Sequence, residues 1–252
     1  MLKVNNLSVS VNDKKLLSDF NIDINDGEIH VLMGPNGAGK STLCKTLFNH
    51  PDYKVLDGSI IYNDKDITNM DPSEISKLGL YIVNQSPISI DGVSNAEMLR
   101  IALEERTGEK VSIFKFNKKL EETCEKLGIP KEFIFRGINE GMSGGERKKN
   151  ELLHMWILEP SFIILDEIDS GLDVDALKLV ANNLLLYKKE YNPSILIVTH
   201  HEKLLEILKP DYVHIVKDGK ISKSGDYNLA IKTLKDGFID GTLDMTGSNF
   251  SE

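Results

Sequence analysis

The sequence predicts an α/β fold in which a parallel-sheet core is interrupted by a helical insert. Three observations lead there. Strand-like and helix-like runs alternate at both ends of the chain, the middle is mostly helical, and a glycine-rich loop joins an apolar strand to a helix near residue 40. The 252 residues suffice for one large domain with a sizeable core.

Residues 1–33 read as short alternating strands, with turns at Asn12-Asp13 and Asp26-Gly27 and a buried strand over Glu28–Met33. A helix follows the loop from about Lys40. Asp57–Asn63 and Leu80–Val83 read as strands. Residues 94–135 read as helices, with Met98, Ile101 and Ala102 on one face. Phe162–Leu165 is a short apolar strand. Over 174–187, Val174, Leu177, Val180, Ala181, Leu184 and Leu185 share one stripe of an amphipathic helix. Ile195–Val198 is a further buried strand, and Val213–Ser222 is a hairpin turning on Asp218-Gly219. The polar, small residues from about Asp240 predict a fraying tail.

Thirty Lys and Arg against 39 Asp and Glu give a net charge of −9, which argues against a nucleic-acid protein. It leaves nucleotide binding open, because a phosphate site needs only local positive potential. No apolar run approaches the roughly 18 residues of a membrane span. The N-terminus reads as a folded strand (Leu2, Val4, Leu7, Val9) rather than a targeting segment. The two cysteines, Cys44 and Cys124, form no CxxC pair and no metal-ligand spacing, so a reducing compartment is the simplest reading. Cys44 reads as core, and Cys124, on a polar helix, as incidental.

Gly34-Pro35-Asn36-Gly37-Ala38-Gly39-Lys40-Ser41 matches GxxxxGK[ST] at every fixed position, after a strand and before a helix. The glycines let backbone N–H groups turn inward around a phosphate, and the helix N-terminus adds partial positive charge. Lys40 is placed to reach the β and γ phosphates, and the Ser41 hydroxyl to ligate Mg²⁺, with Thr42 next in the same loop. Phe162–Leu165 ends in Asp166-Glu167. An Asp there can hold the Mg²⁺ shell, and an adjacent Glu can orient or activate an attacking water. Met142-Ser143-Gly144-Gly145-Glu146 opens an amphipathic helix that ends before Pro160. Ser143 and Glu146 fit a capping box, and the same geometry can receive an anion if Glu146 turns away.

These segments resemble the motifs of ABC ATPases. Gly34–Ser41, Gln85, Ser143–Glu146, Phe162–Glu167, Ser170-Gly171-Leu172-Asp173 and His200 stand in the order of Walker A, Q-loop, signature, Walker B, D-loop and H-loop across nearly the whole chain. The resemblance implies a P-loop NTPase cassette with a RecA-like mixed-sheet core, an antiparallel β subdomain and a helical subdomain. It implies one domain over 1–240, its core from 1–85 and 160–240 and its helical insert over 86–159, with 241–252 a flexible tail. It implies an ATPase using ATP and Mg²⁺. In that family Ser143, Gly144 and Gly145 would contact the γ-phosphate held by a second cassette. Gln85 would sense Mg²⁺ and γ-phosphate, and His200 would contact the γ-phosphate. His200 is preferred over His201 because it directly follows the strand Ile195–Thr199.

Two departures stand out. Met142 and Glu146 replace the Leu and Gln common in transporter signatures. Val11 occupies the position where the family often stacks an aromatic ring on adenine, a contact worth roughly 0.5–1.5 kcal/mol on the scale of aromatic pairs. Modest ATP affinity and relaxed base selectivity are expected.

Within the family, the stretches Ser143–Glu151, Leu158-Glu-Pro160, Leu165–Lys178, Lys209–His214, Gly92–Asn95 and Lys223–Asp226 look most like the SufC branch, the ATPases of SUF iron–sulfur cluster assembly. That resemblance implies SufB- and SufD-like scaffold partners, a second cassette, no nucleic acid and no direct membrane insertion. It implies a cytoplasmic location, or a plastid-type stroma if a targeting segment has been removed. A membrane-importer ATPase subunit is the alternative. A non-hydrolytic scaffold is disfavoured by Lys40 and Glu167, and a nucleic-acid-acting cassette by net charge.

Overall fold

The computed structural model describes residues 1–83 and 87–238. Two of the sequence expectations, Gln85 and the tail 241–252, therefore lie outside the described residues.

A six-stranded sheet carries the molecule. Its order is β12 (Lys220–Gly225), β11 (Tyr212–Lys217), β3 (Ile29–Met33), β10 (Ser194–Val198), β9 (Phe162–Asp166) and β6 (Leu80–Val83). Only the β11–β12 hairpin is antiparallel; β11, β3, β10, β9 and β6 run parallel. β3, β9 and β10 are buried at every residue, as expected of a parallel sheet covered on both faces. The strand period of two then divides the core. Val31, Ile163, Leu165 and Ile197 face one cluster, and Leu32, Phe162, Ile164 and Leu196 face the other.

The second cluster packs α1 (Lys40–Thr46) and a four-stranded antiparallel sheet of order β2 (Lys14–Ile24), β1 (Leu2–Val11), β4 (Lys54–Tyr62) and β5 (Lys65–Asp66). Asn12-Asp13, with φ of 48° and 60°, and Asp218-Gly219, with 49° and 74°, make the predicted turns. Both dihedral pairs fit the left-handed turns that match strand twist. The first strands are not short, however: β1 and β2 have 10 and 11 residues.

The first cluster packs the helices between β6 and β9: α3 (Asn95–Thr107), α4 (Ile113–Leu127) and α5 (Gly144–Leu158), with a 3₁₀ turn at Lys131–Ile134. The short pair β7 (Ile90–Ser94) and β8 (Gly137–Ile138) ties the segment before α3 to the segment before α5. The sheet's flanks are completed by α2 (Pro72–Lys77), α6 (Val174–Tyr191), α7 (Glu202–Leu208) and α8 (Tyr227–Asp236). Among the described residues, no helix is long and apolar enough to cross a membrane.

Three side chains depart from expectation. Ile101 is exposed, because α3 buries Asn95 and Leu99 instead. Val174 is exposed at the first residue of α6. Cys124 is fully buried in the first cluster, on an i, i+4 stripe with Phe116 and Leu120. Burial pushes its thiol up to about 11, so it is inert packing.

Candidate nucleotide site

β3 ends at Met33 and the chain turns at once into the glycine-rich loop. At Gly34 the backbone leaves the sheet with φ of 154°, and an added Cβ would lie 2.2 Å from the Val216 carbonyl oxygen of β11. Only glycine fits there, so the loop's first residue is set by the sheet itself. Gly39 is the N-cap of α1 and supplies no side-chain acceptor. The first amides of α1 therefore have no side-chain cap, the arrangement that receives an anion.

Lys40 lies inside the loop it belongs to. Its Nζ donates to the carbonyls of Gly34 (2.8 Å) and Pro35 (3.0 Å). Burial lowers its pKa, while the carboxylates of Glu167 and Asp166 act to raise it. Ser41 Oγ donates to Asp166 Oδ1 at 2.9 Å. Asp166 is buried at the end of β9, and burial raises its pKa against the Ser41 hydrogen bond. Glu167 follows with φ of +50°. A non-glycine residue in that region is strained, and two backbone bonds hold it. Its N–H donates to Val198 of β10 (3.0 Å), and its carbonyl accepts from Ser170 (3.0 Å). The structure thus brings Lys40, Ser41, Asp166 and Glu167 together at the C-terminal ends of β3, β9 and β10. This is where α/β sheets place ligands.

Several of the other predicted residues within the described chain are held by local bonds of their own. Asp173 caps α6 by accepting from Ala176 N–H at 2.8 Å, which fixes the end of Ser170–Asp173. His200 is exposed, two residues past the end of β10. His201, the residue weighed against it, is instead the N-cap position of α7. Its N–H donates to Thr199 Oγ1 at 3.0 Å. Ser143 and Glu146 make the capping box: Ser143 Oγ accepts from Glu146 N–H (3.4 Å), and Glu146 Oε2 accepts from Ser143 N–H (2.8 Å). Glu146 is thus turned back onto the helix end, and the Ser143 backbone bond lowers its pKa. Gly144 and Gly145 have helical dihedrals, and a Cβ at either would meet no atom within 4 Å.

Lys148 and Asp169 were given no role from the sequence. Lys148 is buried on α5, and burial lowers its pKa, partly countered by the carboxylates of Glu151, Asp169 and Asp166. Asp169, between Glu167 and the cap of α6, is also buried and was not singled out. A charged residue on a helix with mixed charges carries no sequence signal of burial.

A family profile described as ABC transporter matches residues 17–170. The chain belongs to the ABC transporter family. It is an ATP-binding, ATP-hydrolysing cassette, and the matched span contains both the Gly34–Ser41 loop and the Asp166-Glu167 pair. The protein named "Probable ATP-dependent transporter SufC" of Escherichia coli is 41% identical over 242 residues, covering 94% of this chain and 97% of its own. "Vegetative protein 296" of Bacillus subtilis is 42% identical over 239 residues, covering 94% and 91%. The solved ATP-binding cassette MJ0796, in a dimeric post-hydrolysis state bound to ADP and Pi, superposes with a TM-score of 0.76 at 20% identity, covering 90% of this chain and 99% of that one. Among curated relatives the cassette is SufC-like.

Proposed function

We propose that this ATPase drives conformational change in a soluble iron–sulfur cluster assembly complex, with SufB- and SufD-like scaffolds as partners and a cytoplasmic or stromal location. The observation that carries this reading is the 41% identity to the Escherichia coli protein named "Probable ATP-dependent transporter SufC", over 94% of this chain and 97% of that one. It is reinforced by loop and helix-surface stretches that ATP chemistry does not demand.

In this reading ATP enters over Gly34–Thr42, and Lys40 exchanges the carbonyls of Gly34 and Pro35 for phosphate oxygens. Ser41 and Asp166 are hard oxygen donors already in hydrogen-bond contact, a set suited to Mg²⁺. They would hold the ion with Gln85, and the ion would neutralise charge on the phosphates. Glu167 orients the attacking water, and His200 contacts the γ-phosphate. Two cassettes close so that Ser143, Gly144 and Gly145 complete the facing site, and hydrolysis reopens them. The open space over Gly144 and Gly145 supports that role. Glycine is a poorer helix residue than alanine, and among the described residues no atom lies close enough to require glycine at either position.

A second reading is the ATPase subunit of a membrane importer. It is favoured by a relative in Streptococcus pyogenes named "Probable ABC transporter ATP-binding protein spyM18_0273", 41% identical over 248 residues. A native pull-down of Glu167→Gln with ATP, read by mass spectrometry, separates the two. Soluble SUF-type scaffolds support the first reading, and a polytopic membrane protein overturns it in favour of the second.

A further inference from the structure

A buried amide network runs through the helical region and includes none of the residues assigned to the nucleotide site. Its centre is Asn150, fully buried on α5 two turns beyond Ser143. Asn150 Nδ2 donates to Asn95 Oδ1 and to Asn139 Oδ1, both at 3.1 Å. Asn95 opens α3, and its Nδ2 donates to the Phe133 carbonyl at 2.7 Å. Asn139 sits in the loop before the signature with φ of +56°, and its Nδ2 donates to the Ile88 carbonyl at 2.8 Å. His154, one turn further along α5, completes the set. Burial pushes it down to about 4, so the ring is neutral, and its Nε2 lies 2.6 Å from Asn95 Oδ1, an acceptor.

Glu151, which follows Asn150 in α5, reaches the other way. Tyr81 of β6 donates its hydroxyl to Glu151 Oε2 at 3.0 Å. The helix that begins at the signature is therefore bonded both to β6 before residues 84–87 and, through Asn139, to Ile88 after them. Ser89 Oγ adds a bond to the Ile138 carbonyl at 3.3 Å, and β7 pairs with β8 alongside. Amides are directional, and a buried amide that loses its partner is penalised. These bonds tie β6, the 88–94 segment, α3 and α5 together, and Asn150 Oδ1 is the one amide oxygen of the set left without a partner among the described residues.

We propose that Asn150, Asn139 and Glu151 form a positioning joint that sets Ser143 in register with β6 and the segment after it. This rests on the reading of Ser143 as acting in a facing site.

The test uses full-length Glu167→Gln, alone and carrying Asn139→Gly or Asn150→Leu. Glycine keeps the left-handed backbone at 139 and removes only the bridging amide; leucine nearly matches asparagine in size. Each added change should leave ATP affinity close to that of the parent, with a modestly lower thermal midpoint from the amide partners lost. It should raise the ATP concentration needed for dimerisation by about tenfold, within the range of coupling mutations. In the chain with Glu167 intact, kcat should fall while KM for ATP holds. Amide exchange should quicken together in 88–94 and 142–147 and stay unchanged in 34–42. Dimerisation and kcat like the parent's, or exchange that quickens on one side alone, overturns the joint, as does ATP binding lost in equal measure. A parent that does not dimerise with ATP overturns the facing-site reading instead, and the paired exchange response still decides the joint.

Discussion

Ser41 Oγ and Asp166 Oδ1 are joined by a 2.9 Å hydrogen bond that ties the first turn of α1 to the last residue of β9. The bond presents two oxygens to the same space, and it also satisfies a buried carboxylate. Ser41→Ala therefore has two separable effects. Stability should fall by about 1–3 kcal/mol, the range for a buried group left unsatisfied. The Mg²⁺ concentration for half-maximal ATPase activity should rise, while nucleotide binding without metal changes little. Denaturant melts and Mg²⁺ titrations check the two separately.

Glu167 carries the attacking-water role in our proposal. Glu167→Gln preserves size and the backbone bonds to Val198 and Ser170. ATP binding should be retained, kcat should fall by roughly 10²–10⁴-fold as for loss of a general base, and the ATP-bound dimer should accumulate. Single-turnover hydrolysis and size-exclusion chromatography read these outcomes. Unchanged turnover removes Glu167 from the mechanism.

The buried histidines predict acid sensitivity. Burial pushes His214 down to about 4, with His30 adding to it, and burial alone does the same to His154. A histidine whose folded pKa is depressed is protonated first in the unfolded chain. Its contribution is complete above the unfolded value near 6.5 and is lost as pH falls from there toward 4. Each residue contributes up to about 3 kcal/mol over that window. Asp166 and Glu151, whose pKa values burial raises, oppose the loss because protonation favours their folded forms. Urea melts between pH 7.5 and 5 should show falling stability, and His214→Gln should flatten the slope. In the fold, His214 Nε2 lies 2.9 Å from His30 Nδ1 and its Nδ1 lies 2.8 Å from Ser224 Oγ, so glutamine keeps part of the bonding.

Much of this cassette was legible because its strands are short apolar runs and its loops carry turn chemistry. β3, β9 and β10 stand out for that reason, and the Asn12-Asp13 and Asp218-Gly219 turns follow from residues tolerant of positive φ. The capping box was readable from Ser143 and Glu146 alone. The misses share one cause: polarity at a buried position defeats a hydrophobic pattern. Asn95 and Asn150 occupy core positions, so the stripe of α3 was placed on Ile101. Cys124 among lysines and glutamates read as surface, although Phe116 and Leu120 share its stripe. The joint between Asn139 and Ile88 spans 51 residues of sequence and has no local signature.

The glycines at 34 and 145 should respond to alanine with opposite signs in stability. At Gly34 a Cβ would press to 2.2 Å from the Val216 carbonyl. Gly34→Ala should therefore lower the thermal midpoint and abolish ATP binding with it. At Gly145 the backbone is helical and the space is open. Gly145→Ala should raise stability by about 0.4–1 kcal/mol and leave ATP binding intact, yet suppress ATP-driven dimerisation and turnover by placing a methyl where a facing nucleotide must approach. Thermal melts and ATP binding on both variants, with dimerisation in the Glu167→Gln background, test the pair. A Gly145→Ala chain that is more stable and fully active would show that no second cassette closes on this face.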